Sequence, residues 1–235
     1  MMRRVLLLLC AMASAAQAQQ YLPFKNMSTA ANPFRFYVDA RVANPAGLQL
    51  GAVASASEAA WSTWNALSCA VPKASYAGLS TAVPIPHVTD SHDIYNVTPV
   101  WVETMGDPTY TGVFGSQSIT AISLPLTYAG ELQNCDTYLN AVDFDWTTDG
   151  VVANKLDVET VLLHEAGHCL GLDHFFAAGG NVMQSTVTPG VSRRALAPID
   201  ADALCMRYPS MNAVGDFGGL DFFAELVVAG EVVGV

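Results

Sequence analysis

Charged side chains are scarce in this 235-residue sequence. Asp, Glu, Lys and Arg make up 13 % of it, against about 25 % in an ordinary globular domain. Basic residues are the scarcer kind: 10 Lys and Arg stand against 21 Asp and Glu, and the formal net charge is -11. A phosphate backbone is bound through clustered basic side chains. The composition therefore argues against nucleic acid as a partner.

Long apolar runs are confined to the N-terminus. Val5–Ala16 is apolar and follows two arginines, but it is too short for a permanent transmembrane helix. Ala16-Gln17-Ala18 has the small residues of a cleavage site. The pattern predicts a signal peptide over residues 1–18 and a mature chain that begins at Gln19. We expect a secreted or periplasmic protein without a stable membrane anchor.

Cysteines are few, and one of the five lies in the signal segment. An even number in an exported chain indicates two disulfides, although four buried thiols are the alternative. Four cysteines permit three connectivities, so counting alone does not select one. The four that remain are Cys69, Cys135, Cys169 and Cys205.

One stretch has the complete signature of a helix. Asp157 is a good N-cap, Glu159 lies near the positive end of the helix dipole, and Gly171 is a natural stop. These signals predict a helix over Asp157–Leu170. A shorter closing helix is predicted over Pro198–Tyr208.

The rest of the chain indicates an α+β fold with strands before the main helix. Trp61 and Trp64 form an apolar stripe at helical spacing within residues 51–67. We expect a single domain over residues 19–210 and a tail of underived role over 211–235. Strands are predicted over 34–38, 69–76 (ended by Gly78), 95–103, 119–126 and 132–144.

The main helix carries a pattern typical of a catalytic metal site. His164 and His168 lie one turn apart on nearly the same face, where two imidazoles can bind one tetrahedral ion. Glu165 points beside that ion, the position of a base for an activated water. Gly171 allows a sharp exit that returns His174 as a third ligand. Three protein ligands leave a fourth position for water, which distinguishes a catalytic site from a structural one.

A bare HExxH pattern also occurs by chance, but here the extended pattern HExxHxxGxxH reads His164-Glu-Ala-Gly-His-Cys-Leu-Gly-Leu-Asp-His174. With Met183 downstream, the chain resembles the metzincin metallopeptidases, and among them bacterial matrixins. The resemblance extends over about residues 33–209. It implies that Met183 is the Met-turn residue below the metal; an ordinary core methionine is the alternative.

The resemblance also implies a fold and a mechanism. The fold would have a twisted mixed sheet, the active-site helix beneath it and a small C-terminal lobe. One zinc ion would activate water, and Glu165 would act as general base in peptide-bond hydrolysis. A protein or peptide substrate would add to an exposed edge strand at Ile119–Leu124, with Ile119, Ala121 and Ser123 as its substrate-facing positions. We expect a monomer.

A disulfide pairing follows partly from the same resemblance. Cys169 lies on the helix face turned away from both histidines. Bacterial matrixin-like chains with a cysteine there often have another in the closing helix, which implies a Cys169–Cys205 bridge. Cys69 and Cys135 would then form the second bridge. An unpaired, buried Cys169 remains the alternative.

Departures from the matrixin pattern leave several questions open. Phe175 replaces the Ser or Thr typical after the third histidine, and no cysteine-switch motif is visible. The natural function could be hydrolysis of another substrate, or non-catalytic binding on the same scaffold.

Additional metal sites are a further open question. Calcium could bind at Asp143, Asp145 and Asp149, although a solvated turn accounts for them equally well. His87 and His92, with Asp90 and Asp93, could form a second metal site or simply be exposed.

Overall fold

The computed structural model describes residues 21–82, 96–108, 110–114, 119–176 and 180–210. The predicted signal peptide, the tail and the possible second metal site at His87, Asp90, His92 and Asp93 lie outside these residues. None of the helices in the described part is long and apolar enough to cross a membrane.

The described chain contains eight strands and three α-helices, and seven of the strands lie between the first and the second helix. The strands are β1 (Phe34–Asp39), β2 (Ala74–Ser80), β3 (Asn96–Val97), β4 (Val100–Val102), β5 (Ala121–Tyr128), β6 (Glu131–Asn140), β7 (Trp146–Thr147) and β8 (Leu156–Asp157). The helices are α1 (Leu50–Asn65), α2 (Val158–Cys169) and α3 (Pro198–Arg207). The predicted α+β class is confirmed.

The strands form small sheets of mixed direction. One sheet has the order β2-β1-β3, the second has the order β4-β6-β5, and β7 pairs with β8. Side chains connect the first two: Asn96 accepts the N–H of Cys135 at 2.9 Å, and Asp136 accepts that of Val97 at 2.8 Å. β5 is antiparallel to β6 and has no other partner within the described residues, so it forms an edge.

The core is built on the tryptophan stripe of α1. Trp61 is buried between Phe34 and Phe36, with ring centroids 5.2 and 5.5 Å away. Trp64 donates its indole N–H to the carbonyl of Leu163 at 2.9 Å. The stripe thus packs against β1 on one side and against α2 on the other.

The predicted strand at 69–76 is wrong in its bounds, since β2 starts at Ala74 and runs to Ser80. The Asn65 amide bonds both backbone groups of Ala74 at 2.8 Å, and ahead of the strand Ala70 forms a bridge with Pro209 instead. Gly78 does not end the strand. It adopts a φ of 111° in β2 beside the register shift with β1, a conformation that suits glycine.

Two disulfides are present, but the predicted pairing is wrong. Cys69 bonds Cys205, and Cys135 bonds Cys169, with Cα–Cα distances of 5.2 and 5.8 Å. The face of α2 that carries Cys169 packs against β6 rather than against α3. The loop at Cys69 lies beside the end of α3 instead, where its carbonyl accepts the N–H of Ser210 at 2.8 Å.

Candidate metal centre

The active-site helix begins where its capping signals predict. Asp157 accepts the backbone N–H of Thr160 at 3.2 Å and its hydroxyl at 2.6 Å. Arg194 adds an ion pair at 2.6 Å to the same carboxylate. Burial raises the pKa of Asp157, but the hydrogen bonds from Arg194 and Thr160 and the charge of Arg194 outweigh it, so the net pKa is lowered. The cap is therefore ionised at neutral pH.

Three imidazoles meet at the other end of this helix. Ligand nitrogens of His164, His168 and His174 lie within 4.8 Å of one another. His164 is 6 % exposed, and the other two are partly buried. The three form one cluster of nitrogen donors that could hold a metal ion.

Backbone carbonyls orient two of the rings. Nδ1 of His164 donates to the carbonyl of Val182 at 2.7 Å, and Nδ1 of His168 donates to that of Leu172 at 2.9 Å. With the proton on Nδ1, each neutral ring presents the lone pair of Nε2. The two Nε2 atoms are 3.0 Å apart, close to the ~3.3 Å that two Zn–N bonds of about 2.0–2.1 Å span at a tetrahedral angle.

Burial favours the neutral, metal-binding form of two of the three rings, those of His164 and His174. Burial, then the neighbouring His168, lowers the pKa of His164 to about 3. Burial also lowers the pKa of His174, again with a contribution from His168. Neutral imidazole is the form that coordinates metal, so the donor set fits zinc.

Gly171 makes the turn that returns the third histidine. Its φ of 83° lies in the left-handed region. A Cβ at this position would lie 2.9 Å from the Arg207 guanidinium and 3.1 Å from the carbonyl of Phe24. The turn therefore requires glycine for both its conformation and its space.

Glu165 lies beside the imidazoles with only 4 % of its surface exposed. The hydroxyl of Ser123 on β5 donates to its Oε2 at 2.8 Å and lies 3.0 Å from the hydroxyl of Thr137. Burial raises the pKa of Glu165, opposed by His168 and by the Ser123 hydrogen bond. One carboxylate oxygen is thus fixed by the sheet, and the other is left for chemistry.

Met183 is fully buried, and its role as the Met-turn residue stays a prediction. A Cβ on Gly167 of α2 would overlap its sulfur, so the thioether packs directly on the helix backbone. Asp200 of α3, also fully buried, accepts the N–H groups of Val182 at 2.9 Å and Met183 at 3.1 Å. Sequence reasoning did not single out Asp200 for this role, because an aspartate in the first turn of a helix is also favoured by the helix dipole alone.

A cleft of about 540 Å³ opens over the histidines. Ala121 and Ser123 of β5 line it, and so does Ile119, which precedes β5 and is not part of the strand. Apart from Glu165 and the imidazoles, its walls are apolar or small and polar. The remaining lining residues are Leu22, Thr120, Ile122, Pro125, Val161, Ser185, Thr186 and Val187.

The three aspartates predicted as a possible calcium site, Asp143, Asp145 and Asp149, do not belong to the histidine cluster. Asp143 accepts the hydroxyl of Tyr110 at 2.9 Å and the amide of Asn140 at 2.8 Å. Calcium binding with Asp145 and Asp149 stays a prediction.

Residues 116–208 match the family model of the matrixins, a stretch shorter than half of the chain. The match includes β5, β6, α2, the three histidines and α3. A search of curated proteins finds no match. At the level of the family, the match supports a matrixin-type zinc metallopeptidase that acts on protein or peptide substrates.

Proposed function

We propose that this chain is an exported, zinc-dependent endopeptidase of the bacterial matrixin type. The observation that carries the proposal is the trio of His164, His168 and His174, two of whose rings have Nδ1 engaged by backbone carbonyls, with Glu165 beside them. We assign all three histidines as ligands of a single zinc ion, which when bound supplies a Lewis acid that polarises the scissile carbonyl and lowers the pKa of water.

Glu165 acts as the general base in this proposal. Because Ser123 binds Oε2, the other carboxylate oxygen is the one that takes a proton from the attacking water. The carboxylic acid then returns that proton to the nitrogen of the leaving amine. Burial keeps bulk water away from the carboxylate, which strengthens its interactions with the substrate.

The substrate binds along β5. This strand is hydrogen-bonded to β6 on one side, so an extended peptide can add on the other. Ala121 and Ser123 on the strand, and Ile119 just before it, lie at the cleft. Backbone pairing would align the scissile bond with the metal centre, and Met183 would support the centre from below.

Export through a signal peptide over residues 1–18 fits the two disulfides, which form in oxidising compartments. The catalytic unit would then comprise residues 19–210 and act as a monomer.

The test is substitution of Glu165 in purified mature protein. Glu165→Gln should keep one zinc per chain and the wild-type unfolding midpoint, because its amide oxygen can still accept from Ser123, and Glu165→Ala should keep the zinc and the fold. Hydrolysis of a generic protein such as casein should fall by about 10²- to 10⁴-fold, the usual contribution of a general base. Zinc is measured by elemental analysis, and a strong chelator should abolish the wild-type activity.

Glu58→Gln is the matched control, since Glu58 is an exposed glutamate of α1 far along the chain from the site. It should behave as wild type. Near wild-type hydrolysis by Glu165→Gln would show that another group is the base. Zinc binding without hydrolysis of any peptide by the wild type would favour a non-catalytic binding module, and turnover of a different bond would favour another zinc hydrolase.

A further inference from the structure

An N-terminal strap, residues 21–26, crosses the turn that follows the active-site helix. Tyr21 forms an antiparallel bridge with Leu172. The N–H of Leu22 donates to the carbonyl of Gly171 at 2.9 Å. The strap therefore runs alongside the segment that ends in His174, more than 140 residues later in the chain.

Arg207, in the last turn of α3, holds the strap in place. Its guanidinium donates to the carbonyl of Leu22 at 2.8 Å and also to that of Phe24. The same group stacks on the ring of Tyr21, 4.7 Å from the centroid. Hydrogen bonds from a charged donor are among the stronger ones in proteins. A single side chain therefore holds three residues of the strap, Tyr21, Leu22 and Phe24.

The position of the strap determines part of the lining of the cleft. Leu22, whose N–H and carbonyl are both hydrogen-bonded, is partly buried and belongs to the cleft lining, together with Val187 and with Ala121 and Ser123 of β5. An apolar wall selects ligand side chains by size, because each extra or missing methylene changes discrimination by about 10- to 200-fold.

We infer that the N-terminal strap is a wall of the substrate cleft and that Leu22 is a specificity-determining residue, limiting the size of an apolar substrate side chain. Arg207 is its positioning residue. The inference rests on the proposed peptidase function, but the residue to which it assigns specificity, Leu22, lies outside the stretch matched to the matrixins.

The first experiment changes the size of the wall. Leu22→Ala and Leu22→Trp are made in the full chain, and kcat/KM is profiled on a peptide library varied on both sides of the scissile bond. Leu22→Ala should shift the preference at one subsite toward larger apolar side chains, and Leu22→Trp toward smaller ones, each by about tenfold or more. The other subsites and the zinc content should not change.

Lys25→Ala is the matched control, because its exposed side chain belongs to the same strap but not to the cleft lining. Its profile should equal that of the wild type. Profiles of both Leu22 variants that coincide with the wild-type profile would overturn the inference.

The second experiment tests the clamp without catalysis. In metal-free protein, Arg207→Met should accelerate hydrogen exchange of the Leu22 amide by about 10- to 100-fold, since a charged hydrogen-bond donor is lost. Amides in the middle of α1 should be unaffected. An unchanged exchange rate at Leu22 would overturn the role of Arg207.

The measurements distinguish a failure of the peptidase function from a failure of the role of Leu22. If wild-type protein cleaves no peptide, the proposed function and the role of Leu22 in it are both overturned. If wild-type protein cleaves peptides and only the Leu22 profiles are unchanged, the peptidase stands and the wall does not.

Discussion

Two neighbouring imidazoles of the candidate metal centre are held by backbone carbonyls, and these two carbonyls are supported by different means. The Val182 carbonyl that accepts Nδ1 of His164 belongs to a turn whose N–H groups bind the carboxylate of Asp200. The Leu172 carbonyl that accepts Nδ1 of His168 belongs to a turn bridged by the N-terminal strap. The turn at Val182 is thus supported by the buried carboxylate of Asp200, and the turn at Leu172 is supported by the strap, which the guanidinium of Arg207 holds.

Both of these charged side chains belong to the ten-residue helix α3. Asp200 stands in its first turn and Arg207 in its last. Asp200 is fully buried, whereas Tyr21 on the strap is 37 % exposed. Segments with fewer buried contacts open more readily, so we expect the support of His164 to be the stiffer of the two. A small closing helix can thus steady a metal centre from two directions without contributing a ligand.

The largest expected effect comes from removing the buried anion. Asp200→Ala leaves the buried N–H groups of Val182 and Met183, and the partly buried one of Ala197, without their acceptor. The free energy of unfolding should fall by about 3–5 kcal/mol, and zinc affinity should drop by about 10- to 100-fold. Chemical denaturation of metal-free protein and a zinc competition titration measure the two.

Asp202→Ala is the control for that change, because Asp202 is an exposed aspartate two residues farther along α3. It should alter stability by less than about 0.5 kcal/mol. Equal losses of stability in Asp200→Ala and Asp202→Ala would show that Asp200 contributes no more than an exposed charge on the same helix.

A smaller loss of stability is expected at the turn that the strap supports. Gly171→Ala places a side chain in a left-handed conformation and against Arg207, so the free energy of unfolding should fall by about 2–3 kcal/mol. Gly51→Ala in α1 meets no atom within 4 Å and has no positive φ. That control should be neutral or stabilising by up to about 1 kcal/mol. If Gly171→Ala costs more than Asp200→Ala, the strap side is the stiffer support.

The smallest expected effect is a loss of stability at low pH. It concerns Asp157, which belongs to neither of the two supports. The pKa of Asp157 in the folded protein lies below its ordinary value. Its stabilising contribution is therefore complete above about pH 4 and is lost as the pH falls through the folded pKa. Because Arg194 is partly solvated, the loss should be about 1 kcal/mol or less. In Arg194→Met, unfolding free energies measured between pH 7 and pH 3 should show a weaker dependence; an unchanged one would mean that Arg194 does not lower this pKa.

Local signals and long-range contacts differ in how well they could be predicted. The bounds of α2 and α3 agree with prediction within a residue at each end, because caps, charges and a stop glycine act within one turn. The disulfide partners were wrong, because helical geometry indicates which face of α2 is buried and not that β6 lies against it. The position of β2 was missed because the Asn65 side chain, and not local propensity, determines where that strand begins.

The sequence by itself determined the donor set of the site, since the spacing of His164, His168 and His174 on a helix and a glycine turn depends only on helix periodicity and backbone freedom. Only the tertiary structure decided what orients those donors: the Ser123 hydroxyl at Glu165, the Asp200 carboxylate at the Met183 turn and the strap at Leu172. These contacts join residues between 17 and about 150 positions apart, and nothing in the local composition encodes them. They exist because burial leaves each polar group in need of a partner, and the fold determines which partner is within reach.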